Sequence, residues 1–81
     1  MIESSQIKEH MEVLGSDGQH VGKVDHVLGA DIELAKFDLG SGLKHHLIPL
    51  TWVDEVINNK VRLSLTRDQA KAGWREKHLP G

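Results

Sequence analysis

Polar and apolar positions alternate most cleanly late in the chain. Val61, Leu63 and Leu65 are separated by Arg62 and Ser64, with Lys60 in front. A period of two predicts a strand with one face buried. Shorter segments of the same kind precede it. Residues 12–15 predict a first strand, and Asp17-Gly18 predicts a hairpin turn, because glycine takes a positive φ at no steric cost. Residues 20–28 predict a second strand, although Val21, Val24 and Val27 recur every three residues. Such spacing requires a bulge, and Gly22 is the natural place for one. A helix would fit the spacing, but three valines and two flanking glycines favour a strand.

Residues 31–39 predict a third strand, with Ile32 and Leu34 on one face and Glu33, Ala35, Phe37 and Leu39 on the other. A loop at 40–42 leads to a fourth strand, 43–50, which ends where Pro49 removes a backbone donor. Residues 51–54 predict one helical turn with Thr51 as its cap. Glu55-Val56-Ile57 then leads into the turn pair Asn58-Asn59. A helix follows. Thr66-Arg67-Asp68-Gln69 is a capping box, with Leu65 and Ala70 at the staple positions. Asp68 in the first turn and Lys71, Arg75 and Lys77 towards the end have the signs that the helix dipole favours, and Ala70, Gly73 and Trp74 share a stripe. Near the start, residues 4–11 predict a short turn with Ile7 and Met11 facing inward.

Six short strands and one terminal helix predict a mainly β fold, a small six-stranded antiparallel barrel with a C-terminal α-helix. Closure would remove the open edges of so small a sheet. The inward positions are Val13, Ile32, Leu34, Ile48, Val61, Leu63 and Leu65. Eighty-one residues make a single domain, 1–81. With only three aromatic residues and no disulfide the core is modest, so a homo-oligomer is expected to supply further burial.

Composition narrows the chemistry. The net charge of −2 argues against nucleic acid as a partner, because phosphate binding needs clustered positive charge. The absence of cysteine excludes disulfides, thiol nucleophiles and thiolate metal sites. The N-terminus has no basic region followed by an apolar run, and no apolar stretch approaches the ~20 residues needed to span a bilayer. A cytoplasmic protein with no membrane insertion is the expectation.

Three stretches carry a resemblance: Met11-Glu12-Val13; residues 17–27, which contain Asp17-Gly18, Val21-Gly22 and Val24; and residues 48–53, Ile-Pro-Leu-Thr-Trp-Val. In this order they resemble the PRC-barrel superfamily. That β-barrel module is found in the cytoplasmic part of the photosynthetic reaction centre H subunit and in a ribosome maturation factor. A narrower similarity is to small bacterial proteins grouped as a domain of unknown function. They share a His-His pair before the Ile-Pro and a Gly-Trp pair in the last helix, here Gly73-Trp74. The resemblance covers roughly residues 7–74. It implies the barrel fold and a habit of binding proteins, and it supplies no catalytic residues.

Six histidines are the compositional oddity: His10, His20, His26, His45, His46 and His78. Imidazole binds zinc, copper and nickel. Neighbouring strand residues face opposite ways, however, so His45 and His46 do not share an ion, and ligands would have to converge from different strands. The simpler reading has most of the six exposed and one of the 45/46 pair half-buried and hydrogen-bonded, with no metal and no cofactor. Asp25, Asp31, Glu33 and Asp38 read as solvated strand and turn positions. No nucleophile elbow or phosphate loop is present, so catalysis is not expected. The candidate partner- or ligand-binding residues are His45, His46, Trp52 and Trp74, with Trp74 as a lid on the sheet and Trp52 over a barrel end. The expected function is a non-enzymatic module for an unidentified protein partner or for self-association. The alternatives are a histidine-based metal or small-ligand protein and an RNA- or ribosome-associated factor.

Overall fold

The strands predicted from valine-rich, turn-bounded segments are present, the third and fourth over fewer described residues than expected, and they assemble into one sheet. The computed structural model of the chain describes residues 4–35 and 45–76. A 3-10 turn at Ser4–Gln6 leads to β1 (Glu12–Leu14), β2 (His20–Leu28), β3 (Asp31–Leu34) and β4 (His46–Pro49). A second 3-10 turn, Leu50–Trp52, precedes β5 (Val53–Ile57) and β6 (Lys60–Leu63). The helix α1 (Arg67–Gly73) and a two-residue strand β7 (Arg75–Glu76) follow. The spatial order is β5-β6-β1-β2-β3-β4-β7.

Positive-φ residues make the turns. Gly18 (φ 78°) closes the β1–β2 hairpin, and Asn58 and Asn59 (φ 52° and 62°) close β5–β6. Two bulges on β2 account for its period of three. Opposite β1, Leu14 faces His20 and Val13 faces Gly22, so Val21 is extra. Opposite β3, Val24 faces Leu34 and His26 faces Glu33, so Asp25 is extra. Each extra residue resets the alternation and bends the strand. Val21 and Val24 thereby both reach the core, and β2 serves one half of the sheet with its first residues and the other half with its last.

A mainly β fold with one helix is therefore as expected, whereas the antiparallel barrel is not. β1 and β6 pair parallel, Val13 opposite Val61. Direction is set by tight turns only between consecutive strands, and these two are joined by a long excursion. Among the described residues no ladder joins β5 to β7, so the sheet is mixed and open. The core is nonetheless continuous. Val13, Ile32, Leu34, Ile48, Val61 and Leu63 are buried as predicted, together with Ile7, Met11, Val21, Val24 and Ala70; Leu65 is only half-buried.

The capping box forms as read. Gln69 N–H donates to Thr66 Oγ1 at 3.2 Å, and Thr66 N–H donates to Gln69 Oε1 at 3.0 Å. The helix stops earlier than its charges suggest. Trp74 is extended (ψ 159°), and Arg75 pairs with β4 and reaches Asp31 Oδ2 at 2.7 Å. Packing of Trp74 and this ion pair override the helix propensity of the last basic residues. Thr51 lies within the 3-10 turn, which has Pro49 at its start and no side-chain cap. Phe37, Asp38, Leu39, the loop at 40–42, Lys77 and His78 lie outside the described residues.

Candidate functional site on both faces of the β3–β4 ladder

His45 and His46 do separate to opposite faces. His46 faces Leu34 across the β3–β4 ladder and therefore lies on the core side, 4% exposed. Its ring stacks on Trp74, with centroids 3.9 Å apart and planes inclined by 17°. Lys71 Nζ lies 5.8 Å from the centre of the same indole. Trp74 is half-buried against the core, as a lid would be. Trp52 packs on the core beside α1, and a Cβ added at Gly73 would come within 3.3 Å of its Cη2. The structure thus joins His46 to Trp74, sets Trp52 against the helix end, and sends His45 elsewhere.

On the other face of the ladder His45 meets two carboxylates. Glu33 sits between Ile32 and Leu34 on β3, and Leu47 lies opposite it on β4. Its residue exposure is 4%, so the reading of Glu33 as a solvated strand position is wrong. Both faces of β3 are covered, which alternation along one strand cannot reveal. The bulge at Asp25 places Asp25 and His26 together opposite Glu33, and His45 enters from the residue before β4. His26 Nδ1 lies 3.3 Å from Asp25 Oδ2 and 3.7 Å from Glu33 Oε1. His45 Nδ1 lies 3.7 Å and 3.9 Å from the same two oxygens. The Leu34 carbonyl oxygen, 2.9 Å from His45 Nδ1, accepts a hydrogen bond that orients the ring. His45 is half-buried and hydrogen-bonded, with its side chain 23% exposed, and His46 is the more deeply buried of the two.

The sequence named His45 as a candidate but missed its neighbours. The only available signal was the triple spacing of β2, which implies bulges without saying which side chains they bring together. Asp31 is likewise partnered, by Arg75. Asp25, Glu33 and His45 each offer a ligand atom within 4.8 Å of the others, and His26 stands beside them.

A separate pair lies at the β1–β2 ladder. His20 Nδ1 and Glu12 Oε2 are 2.8 Å apart, with Lys60 Nζ 3.6 Å from Glu12 Oε1. The hydrogen bond from His20, helped by the charges of His20 and Lys60, holds the Glu12 carboxyl below its ordinary pKa despite partial burial. Among the described residues no helix is long and apolar enough to cross a membrane.

A family model described as an uncharacterized protein conserved in bacteria (DUF2171) matches residues 7–71. No curated protein matches the chain at a significant level.

Proposed function

We propose that this chain, which belongs to the DUF2171 family, is a non-enzymatic cytoplasmic module of PRC-barrel type that binds a protein partner along the free edge of β5. The carrying observation is the position of β5 at the end of the sheet order, with β6 as its only strand neighbour among the described residues. The other side of the strand presents backbone groups to which an extended segment can add. Ile57 at its end is 53% exposed, an apolar contact for such a segment. Asp54, the extra residue of a bulge opposite β6, is exposed, whereas Glu55 stands 3.7 Å from Arg62; the fitting partner is therefore extended and carries its basic residue towards Asp54. A second copy of the chain fits less well, because a centred antiparallel pairing of β5 with itself brings Asp54 and Glu55 of one copy close to those of the other. The motif stretches at 17–27 and 48–53 support the superfamily reading.

The test is a titration of the isotopically labelled chain with a peptide of alternating valine and lysine, followed by NMR. Amide shifts should concentrate at residues 53–57 and vanish in the Asp54→Lys variant. Shifts scattered over the sheet, or none at millimolar peptide, refute the edge reading. Light scattering showing a dimer that Ile57→Lys dissolves would also refute the basic-partner reading, because the occupant would then be a second copy.

A further inference from the structure

The four groups on the outer face of β3 have the composition of a metal site, and from their arrangement we infer that Asp25, His26, Glu33 and His45 bind one zinc ion. Each histidine nitrogen stands near the same two oxygens, at 3.3 and 3.7 Å for His26 and at 3.7 and 3.9 Å for His45. Ligands bonded to a tetrahedral zinc at about 2.0–2.1 Å lie roughly 3.3–3.4 Å from one another. Of these four among the six ligand pairs, one is already there and three need to contract by roughly 0.3–0.6 Å, while Asp25 and Glu33 stand within 4.8 Å of each other.

Charge points the same way. Two carboxylates converge here, and the side chain of Glu33 is only 5% exposed. Carboxylates that converge on two imidazoles form a donor set that a divalent cation binds more tightly than a monovalent one. A divalent ion with two neutral imidazoles makes the assembly neutral. Imidazole and carboxylate together suit zinc better than calcium or magnesium, which prefer oxygen alone.

The supports differ from those of a chance surface cluster. The donors come from β2, from β3 and from the residue preceding β4, so the ion would tie three adjacent segments together. Asp25 is presented by a bulge, and Glu33 is fixed in the middle of a ladder. The Leu34 carbonyl orients His45 through Nδ1. For zinc to take that nitrogen the neutral ring shifts its proton to Nε2 and gives up the bond to Leu34, so the ion replaces that contact. His26, 57% exposed, leaves a side open for entry. The site lies on the β2–β4 half of the sheet, away from β5, so its failure would leave the edge reading untouched.

The experiment is calorimetric titration of the tag-free chain with zinc chloride at neutral pH, paired with thermal melts. One ion per chain is expected, and at a hundredfold excess over the dissociation constant the melting temperature should rise by roughly 10–20 °C. His26→Ala removes an exposed side chain and should leave the fold intact while weakening binding by at least about tenfold. Asp25→Asn should act similarly, whereas His20→Ala, at the separate Glu12 pair, should change nothing. Absence of binding at 100 µM zinc, or binding that survives both His26→Ala and Asp25→Asn, overturns the assignment. Loss of binding on His20→Ala would also overturn it, by moving the ion elsewhere.

Discussion

Gly15 is a position at which one added methyl group should do heavy damage. It follows β1, is buried, and has a backbone conformation open to any residue. A Cβ there would lie 2.5 Å from Arg67 N, 2.6 Å from Asp17 Oδ1 and 2.9 Å from the Thr66 carbonyl carbon. Two of these atoms are backbone at the start of α1. Relieving the clash means moving the helix start, which is held by Ser16 N–H donating to the Leu65 carbonyl at 2.7 Å and by Arg67 N–H donating to Asp17 Oδ1 at 3.3 Å. Overpacking of a close-packed site costs about 1–3 kcal/mol, and contacts this short belong at the upper end. Loss of glycine's freedom in the unfolded chain returns about 0.4–1 kcal/mol. Gly15→Ala should therefore destabilise by roughly 2 kcal/mol and lower the melting temperature by about 8–16 °C. Gly73→Ala is the control. Its nearest neighbours are Trp52 Cη2 and Cζ2 at 3.3 and 3.4 Å, the far end of a half-buried side chain that can shift. Helix propensity favours alanine there by up to about 1 kcal/mol, so the two effects nearly cancel. Urea unfolding followed by tryptophan fluorescence and far-UV circular dichroism measures both variants. A loss below about 0.5 kcal/mol for Gly15→Ala, or equal losses at the two sites, would refute this account of the hairpin–helix contact.

Two further outcomes follow from local structure. Thr66→Ala removes one half of the capping box and should cost about 1 kcal/mol in the same urea assay, with Thr66→Ser recovering most of it. Glu12 has a folded-state pKa below its ordinary 4.5, so its stabilising effect is fully present above that value and is lost as pH falls through the lowered one. Stability curves of the wild type and Glu12→Gln should accordingly converge on acidification below about pH 4.5; a constant gap down to pH 2 would show that the carboxylate contributes nothing specific.

Local chemistry was legible in the sequence and long-range register was not. β2 was bounded to the residue, because Gly18, the valines and Gly29 are cues within a few positions of one another. The helix start was equally explicit in Thr66 and Gln69. The parallel pairing of β1 with β6 had no local cue, since no turn connects them. Arg75 read as helical because propensity knows nothing of Asp31 across the sheet. The outer-face cluster was missed for a related reason. Alternation places Asp25 and His26 on opposite faces, and only the bulge in the β2–β3 ladder brings both to Glu33.

The parallel contact of β1 and β6 also sets an order of assembly during synthesis. β1 through β4 are complete once residue 49 has emerged, while the strand that covers the outer side of β1 ends only at residue 63. In that interval β1 stands as a raw margin inviting wrong partners. It is only three residues long, too short to template a stranger. The brevity of the first strand guards the nascent chain while its proper neighbour is still being made.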